Sequence, residues 1–196
     1  MKIVCSAFLM FLLCELTWAS EQIVSVSSPD KRTEVKIALG ERITYSLFYD
    51  GNILIAPSPV SLELYDGKVI GANPNLIKQK TVTVDNIVRP LYGKNAVIKE
   101  SYTELNLTFR DKYSVTFRAY NEGIAYRFTT FFKDSLTVKN EEATFVFPQN
   151  CKGYYRKGKK DNYLYEAVYE NAELSKIDSG RVAIVPCWFR YPMDPK

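Results

Sequence analysis

The fold of this chain is decided by the stretch FRAYNEGIAYRF, residues 117–128. Its apolar side chains alternate on both sides of a short turn, at Phe117, Ala119, Ile124, Tyr126 and Phe128. Alternation with a period of two places such side chains on one face of an extended strand. Two such runs joined by a few residues that include Gly predict a β-hairpin with one buried face.

The polar residues of this hairpin need no catalytic explanation. Arg118 falls on the face opposite Phe117, and Arg127 falls on the face opposite Tyr126. Glu122 lies in the turn, next to Gly123, which we expect to adopt the left-handed conformation that a loop of this length often requires. The stretch is therefore predicted to be structural rather than a working site.

The same alternation extends outward over much of the chain. It recurs at Val35/Ile37/Leu39, Ile43/Tyr45/Leu47/Tyr49, Val60/Leu62/Leu64, Leu105/Leu107/Phe109 and Tyr113/Val115/Phe117. Turn sequences separate these runs, among them Asp50-Gly51 and Asp66-Gly67, where Gly accepts positive φ at little steric cost. The pattern predicts an all-β, antiparallel β-sandwich of two large sheets, with at least eight strands after residue 20 and no helix longer than about three turns.

One segment fits two secondary structures. The sequence YLYEAVYENAEL, 163–174, has apolar residues at both helical and strand spacing. Its tyrosine enrichment favours a strand. The segment RVAIVPCWFRY, 181–191, is predicted to be a strand, and PMDPK, 192–196, a turn.

The N-terminus is predicted to be a secretory signal peptide, residues 1–20. A short apolar run follows Lys2 and ends in TWAS, where small residues suit cleavage after Ala19 or Ser20. The run is short for a stable membrane span, so we predict an exported protein with no membrane span. The mature chain, 21–196, is long enough for one domain with a core, and 46% of the whole sequence is hydrophobic.

The mature chain would keep two cysteines, Cys151 and Cys187. In an oxidising compartment they could form a disulfide, but spacing alone leaves this open against two separate thiols on different strands. A metal site through them is not expected, because the chain has no histidine and no CxxC motif.

The basic run CKGYYRKGKKDNYLY, 151–165, has two possible interpretations. Basic residues with interleaved aromatics are typical of single-stranded nucleic acid binding, but a solvated loop has the same composition, and an exported protein seldom meets nucleic acid. We therefore predict no nucleic-acid partner. Tyr154 and Tyr155 are the candidate carbohydrate-stacking residues; burial with satisfied hydroxyls is the alternative, and it is favoured.

Catalysis by this chain alone is not predicted. Glycoside hydrolysis needs two carboxylates at a defined separation, and the available glutamates are Glu63, Glu100, Glu104, Glu122, Glu166, Glu170 and Glu173. Glu166 and Glu170 share a face in either a helix or a strand, although paired acids of this kind are usually solvated. The absence of histidine excludes histidine-based triads.

Several segments, in order, resemble the N-terminal domain of glycoside hydrolase family 97. They are SPDKRTEVKIAL, ITYSLFYDGNILIAPSPVSLEL, LYGKNAVIKESYTELNLTFRD, FRAYNEGIAYRF and YLYEAVYENAELSKID. The resemblance implies an exported bacterial α-glucosidase or α-galactosidase, periplasmic or secreted. It also implies a galactose-mutarotase-like β-supersandwich that precedes a catalytic (β/α)8 barrel and a small C-terminal β domain.

The same resemblance implies what this chain does not carry. The family's catalytic glutamates lie on the barrel, and the glutamate that its N-terminal domain gives to a calcium ion is placed beyond Lys196. We therefore expect 21–196 to be a domain truncated at its C-terminal end, with no catalytic, metal or cofactor site of its own. Its expected role is to pack on the barrel and wall the active cleft, where the partner is an α-glycoside or oligosaccharide. The alternative is a stand-alone carbohydrate-binding module.

Overall fold

The chain folds into β-strands joined by tight turns. The computed structural model describes residues 21–158, 168–178 and 182–191. The strands are β1 (Gln22–Ser27), β2 (Thr33–Leu39), β3 (Ile43–Tyr49), β4 (Asn52–Leu64), β5 (Val69–Ile70), β6 (Leu76–Val88), β7 (Ile98–Phe109), β8 (Tyr113–Tyr120), β9 (Gly123–Thr130), β10 (Val138–Ala143), β11 (Lys152–Gly158), β12 (Tyr169–Glu173) and β13 (Val182–Arg190). The prediction of an all-β fold is confirmed.

Helical structure is limited to one turn in the described part of the chain, the 3-10 helix Leu174–Lys176. No helix there is long and apolar enough to cross a membrane. The predicted signal peptide, residues 1–20, lies outside the described residues.

The strands form three antiparallel sheets. One has the order β1-β2-β3-β4-β10, with β5 paired to β4; the second has the order β6-β7-β8-β9; the third is β12-β11-β13. The two large sheets were predicted. The small third sheet was not, and it arises because β11 pairs with β12 on one side and with β13 on the other rather than with either large sheet.

The two large sheets share one hydrophobic core. The alternating residues Val35, Ile37 and Ile43 of the first sheet and Leu107 and Phe117 of the second are all buried in it. The ring centroids of Tyr45 and Phe117 lie 6.4 Å apart across the sheet interface. The period-two pattern thus predicted which side chains face the core.

Two of the predicted turns differ in outcome. Asp50 and Gly51 have φ values of 47° and 77°, as expected for a two-residue hairpin turn between β3 and β4. The prediction for Gly123 was wrong, because its φ is not in the left-handed region. Gly123 is the first residue of β9 and pairs with Tyr120, so its backbone is extended.

The outer face of the β8–β9 hairpin is a network of polar side chains. Arg118 Nε donates a 2.7 Å hydrogen bond to Glu104 Oε2, and its guanidinium lies 4.3 Å from the centroid of the Tyr102 ring. The bond to Glu104 raises the pKa of Arg118. Asn106 Nδ2 donates a 2.7 Å hydrogen bond to Thr116 Oγ1. Arg118 therefore stabilises the sheet, as the structural interpretation predicts.

The third sheet is joined to the sandwich through aromatic contacts. Phe147 packs against the core, and its ring centroid lies 4.5 Å from that of Phe189 on β13. The hydroxyl of Tyr191 donates a hydrogen bond to the carbonyl oxygen of Leu54 on β4. The last described strand is thus fixed to the body of the domain.

The segment with two possible structures is a strand in its described part. Residues 163–167 lie outside the described residues, and the rest forms β12 followed by the 3-10 turn at Leu174–Lys176. The C-terminal strand was also predicted, and β13 covers nearly the expected range. Residues 192–196 lie outside the described residues.

We expect hydrogen exchange to be slower in the hairpin 105–128 than past residue 181. Strand β8 has hydrogen-bonded neighbours on both sides and a buried core face, whereas β13 pairs with β11 along one edge within the described chain. Edge strands open locally at lower free energy than central strands. Amide exchange followed by mass spectrometry should show protection factors in β8 that exceed those in β13. Equal protection in the two segments would contradict this difference.

Candidate functional site

The two candidate tyrosines lie on opposite faces of β11. Tyr155 is 4% exposed and belongs to the buried side of the third sheet. Tyr154 is half-buried on the outer side. Because consecutive residues of a strand point in opposite directions, only one of the pair can face a ligand in solution. The structure thus separates Tyr155 from the candidate surface and leaves Tyr154 on it.

Tyr154 forms a cross-strand aromatic pair with Trp188 of β13. The two residues are direct partners in the β11–β13 ladder, and their ring centroids lie 5.2 Å apart with an interplanar angle of 30°. Trp188 is 65% exposed, so the pair presents a large aromatic surface to solvent. Trp188 was not predicted from the sequence, because its position opposite Tyr154 depends on the pairing of strands about 30 residues apart.

Polar side chains surround this aromatic pair. On β12 the residue opposite Tyr154 is Asn171, and the adjacent row of the sheet contains Glu173, Lys152 and Arg190. Glu173 Oε2 lies 3.0 Å from Lys176 Nζ, and the hydrogen bond with Lys176 lowers the pKa of the Glu173 carboxyl. The aromatic pair is thus bordered by one amide and by a row of mixed charge.

A shallow cleft of about 450 Å³ adjoins the pair. Its lining includes Asn150, Lys152, Tyr154, Glu173, Arg190 and Tyr191. Exposed ring faces can stack on the apolar face of a pyranose, and flanking amide and charged groups can hydrogen-bond its hydroxyls. Among the described lining residues Glu173 is the one carboxylate. Acid–base cleavage of a glycosidic bond needs two.

The other glutamates considered for catalysis are used in ion pairs or lie elsewhere. Glu170 on β12 is exposed, and its Oε1 lies 3.7 Å from Lys157 Nζ. Glu63 and Glu104 pair with Lys139 and Arg118. Glu166 lies outside the described residues. Within the described chain, no three His, Cys, Asp or Glu side chains converge in a way that could hold a metal ion.

The two cysteines are free thiols in this structure. Cys151 is buried, which raises the pKa of its thiol, and Cys187 is half-buried. The ladder register explains why they do not meet. Lys152 pairs with Arg190 and Tyr154 with Trp188, so the cysteines lie at different heights along the sheet.

The basic run does not form a single charged surface in its described part. The ammonium group of Lys152 lies over the Tyr154 ring, and the guanidinium carbon of Arg156 lies 5.5 Å from the centroid of the Tyr169 ring. Lys157 pairs with Glu170. Lys159 and Lys160 lie outside the described residues. These contacts are those of charged side chains that cover a sheet surface.

A second cleft, of about 590 Å³, lies at the tip of the β8–β9 hairpin. Its rim joins two turns: Asp30 N donates to Asn121 Oδ1, and Thr33 Oγ1 donates to the carbonyl oxygen of Asn121. Arg32 makes two hydrogen bonds to the Asp50 carboxylate at 2.9 and 2.7 Å. The turn between β8 and β9 therefore connects the two large sheets through hydrogen bonds at one end of the sandwich.

Comparison with known proteins gives a consistent result. The model of the family described as "Glycosyl-hydrolase 97 N-terminal" matches residues 26–195. A retaining alpha-galactosidase of Bacteroides thetaiotaomicron is 30% identical over an alignment of 187 residues, and this alignment covers 91% of this chain and 28% of that protein. The chain thus spans well under a third of this curated relative.

Solved structures show the same fold. A Glycoside Hydrolase Family 97 enzyme from Pseudoalteromonas sp. strain K8, in complex with panose, has a TM-score of 0.68 at 17% identity and covers 78% of this chain and 25% of its own. A beta-arabinopyranosidase has a TM-score of 0.67 at 22% identity and covers 76% of this chain and 26% of its own. In each case the similarity covers about a quarter of the solved chain.

Proposed function

Because this chain belongs to the glycosyl-hydrolase 97 N-terminal family, we propose that it is the non-catalytic β-sandwich domain of an exported glycoside hydrolase that acts on α-glycosidic bonds. The α-galactosidase relative supports this bond type, since it is 30% identical over most of this chain. The chain covers 28% of that relative, and a (β/α)8 barrel needs about 250 residues of its own. In this proposal the catalytic carboxylates belong to the remaining part of the enzyme.

The outer face of the third sheet is the surface that walls the active cleft. The observation that supports this proposal is the pair of half-buried Tyr154 and exposed Trp188. The pair is bordered by Asn171 and by the row of Glu173, Lys152 and Arg190. Aromatic rings beside a few polar groups are the usual lining of a site that receives a small polar ligand. A wall of this kind positions or encloses a sugar without reacting with it.

Exposed apolar residues support docking on another domain. Leu91 and Tyr92, in the loop between β6 and β7, are almost fully exposed. Apolar side chains that are clustered on a surface usually mark an interface with another domain or protein. In the parent enzyme the catalytic barrel is the proposed partner.

The proposal also includes export of the protein and a calcium ion in the parent enzyme. The apolar run before Ala19 supports removal of residues 1–20 and a periplasmic or secreted bacterial location. Within the described residues, no three His, Cys, Asp or Glu side chains lie close enough together to hold the calcium ion that the family resemblance implies. We place the calcium ion of the parent enzyme in the remainder of that enzyme, together with the glutamate ligand that the resemblance implies.

A stand-alone carbohydrate-binding module is the second candidate function. The same Tyr154–Trp188 pair favours it, because exposed aromatic rings are able to stack on a sugar without help from a catalytic domain. The two candidates differ in what the isolated chain does. A module binds sugar by itself, whereas a wall lacks the opposite side of the cleft.

Sugar titration distinguishes the two candidates. Panose and methyl α-D-galactopyranoside are each titrated into the isolated chain, and binding is measured by calorimetry and by the fluorescence of Trp188. We expect no saturable binding of either sugar. Saturable binding that is lost in Trp188→Ala and kept in Tyr65→Ala would overturn the wall assignment in favour of the module. Tyr65 is a suitable control because it is also an exposed aromatic residue but lies on the turn between β4 and β5.

A further inference from the structure

Strand β6 is a long edge strand that the described chain leaves uncovered. None of its thirteen residues is buried, whereas five of the thirteen residues of β4 are. One edge of β6 pairs with β7, and no described strand pairs with its other edge. Its exposed large apolar residues are Ile77, Val82, Ile87 and Val88. Free N–H and C=O groups along such an edge are a template for another strand.

We propose that β6 pairs antiparallel with β6 of a second copy of this chain, around a two-fold axis at Val82. The sequence of the strand, LIKQKTVTVDNIV, is self-complementary about this residue. The axis places identical residues opposite each other in the pairs Val82–Val82, Thr81–Thr83 and Ile77–Ile87, and it places Gln79 opposite Asp85, to which the amide can donate a hydrogen bond. Cross-strand pairs of similar β-branched or hydrogen-bonding residues stabilise antiparallel sheets.

The lysines of β6 favour the same register. With the axis at Val82, Lys80 lies opposite Val84 and Lys78 lies opposite Asn86, so that no two like charges are directly opposed. An axis at Lys80 would place this residue opposite its own copy. An axis at Thr81 would place Ile77 opposite Asp85. Of these three registers, the one at Val82 is therefore the one that opposes neither two like charges nor an isoleucine and an aspartate, and Lys80–Val84 is its one pair of a charged and an apolar residue.

Two-fold symmetry is the reason to choose a second copy over an unrelated partner. An interface between identical subunits is commonly isologous, so that the surface must be complementary to itself. An unrelated strand places no such requirement on β6. Pairing would join two four-stranded sheets into one of eight, which lies within the usual range of sheet sizes.

The size of this surface predicts a concentration-dependent dimer. A stable interface takes about 20–30 residues from each partner, and β6 supplies thirteen. Because this interface is small, we expect a weak dimer that forms only as the protein concentration rises. Sedimentation velocity over increasing concentration should show a shift from the monomer mass to twice that mass. We expect Val82→Lys to remain monomeric at all these concentrations, because it opposes two like charges at the axis. Its circular dichroism spectrum should match that of the wild type, since Val82 is 39% exposed.

The matched control is Val138→Lys, which adds the same charge to an exposed valine on β10, the edge strand of the other large sheet. This variant should dimerise like the wild type. A wild-type chain that stays monomeric throughout would overturn the proposal, and it would also mean that any strand that covers β6 comes from elsewhere. A dimer that Val82→Lys and Val138→Lys leave equally intact would overturn it too.

Cysteine cross-linking tests the register independently of these variants. In Val82→Cys the two introduced thiols are direct neighbours across the axis, so mild oxidation should give a reducible covalent dimer. In Lys78→Cys the two thiols are separated by eight residues along the strands, about 26 Å at roughly 3.3 Å per residue. We expect cross-linking in the first variant well above that in the second. Equal cross-linking in both would contradict an axis at Val82.

Discussion

Phe117→Ala is expected to lower the free energy of unfolding by about 3–5 kcal/mol, the usual cost of truncating a buried phenylalanine. Phe117 is 0% exposed and lies on β8, at the centre of the core between the two large sheets. Its ring contacts Tyr45 of the opposite sheet and Tyr126 of the neighbouring strand, at centroid distances of 6.4 and 6.0 Å. The truncation therefore leaves a cavity that both sheets border.

This loss is a large part of the stability of a domain of this size, which is about 5–15 kcal/mol in total. Urea unfolding followed by circular dichroism measures it directly. The control is Phe131→Ala, which removes the same atoms from a residue that is 55% exposed just after β9. Its effect should stay within about 1 kcal/mol because little buried surface is lost. Equal losses in the two variants would contradict the position of the core.

The alternation of apolar residues predicted the core strands because each of them buries one face. Val35, Ile37 and Leu39 repeat with a period of two, and all three are buried on β2. Strand β6 gave no such signal. Its apolar residues divide between the two faces, with Val82, Val84 and Val88 on one and Ile87 on the other, and none of them is buried. The sequence TVTVDNIV was not identified as a strand.

The candidate site was only partly predictable, because it is made of residues that strand pairing brings together. The aromatic composition of β11 indicated Tyr154 and Tyr155, but not which of them faces solvent. That depends on which face of the third sheet packs on Phe147, a contact that the sequence does not encode locally. Trp188 was missed for the same reason.

The error at Gly123 has a local cause. The turn between β8 and β9 contains two residues, Asn121 and Glu122, and the ladder already closes between Tyr120 and Gly123. The prediction counted Gly123 as part of the loop. A hairpin shorter by one residue places it in the strand, where extended backbone is required.

An assay of glycosidic bond cleavage tests most directly whether this chain is a non-catalytic domain of a glycoside hydrolase, as we propose. Hydrolysis of an α-glycoside requires an acid and a second carboxylate on either side of the scissile bond. In the described part of the chain the aromatic cleft has Glu173 alone, and Glu170 is held near Lys157. An enzyme typically accelerates its reaction at least about 10⁶-fold, so even a poor catalytic site would be visible above the spontaneous rate.

The assay uses 4-nitrophenyl α-D-galactopyranoside and 4-nitrophenyl α-D-glucopyranoside with the purified chain, and Glu166→Gln and Glu170→Gln serve as matched variants. We expect the release of nitrophenol from the wild-type chain and from both variants to equal the rate in buffer. A rate that rises in proportion to the concentration of the chain and disappears in Glu166→Gln or Glu170→Gln would contradict the non-catalytic assignment.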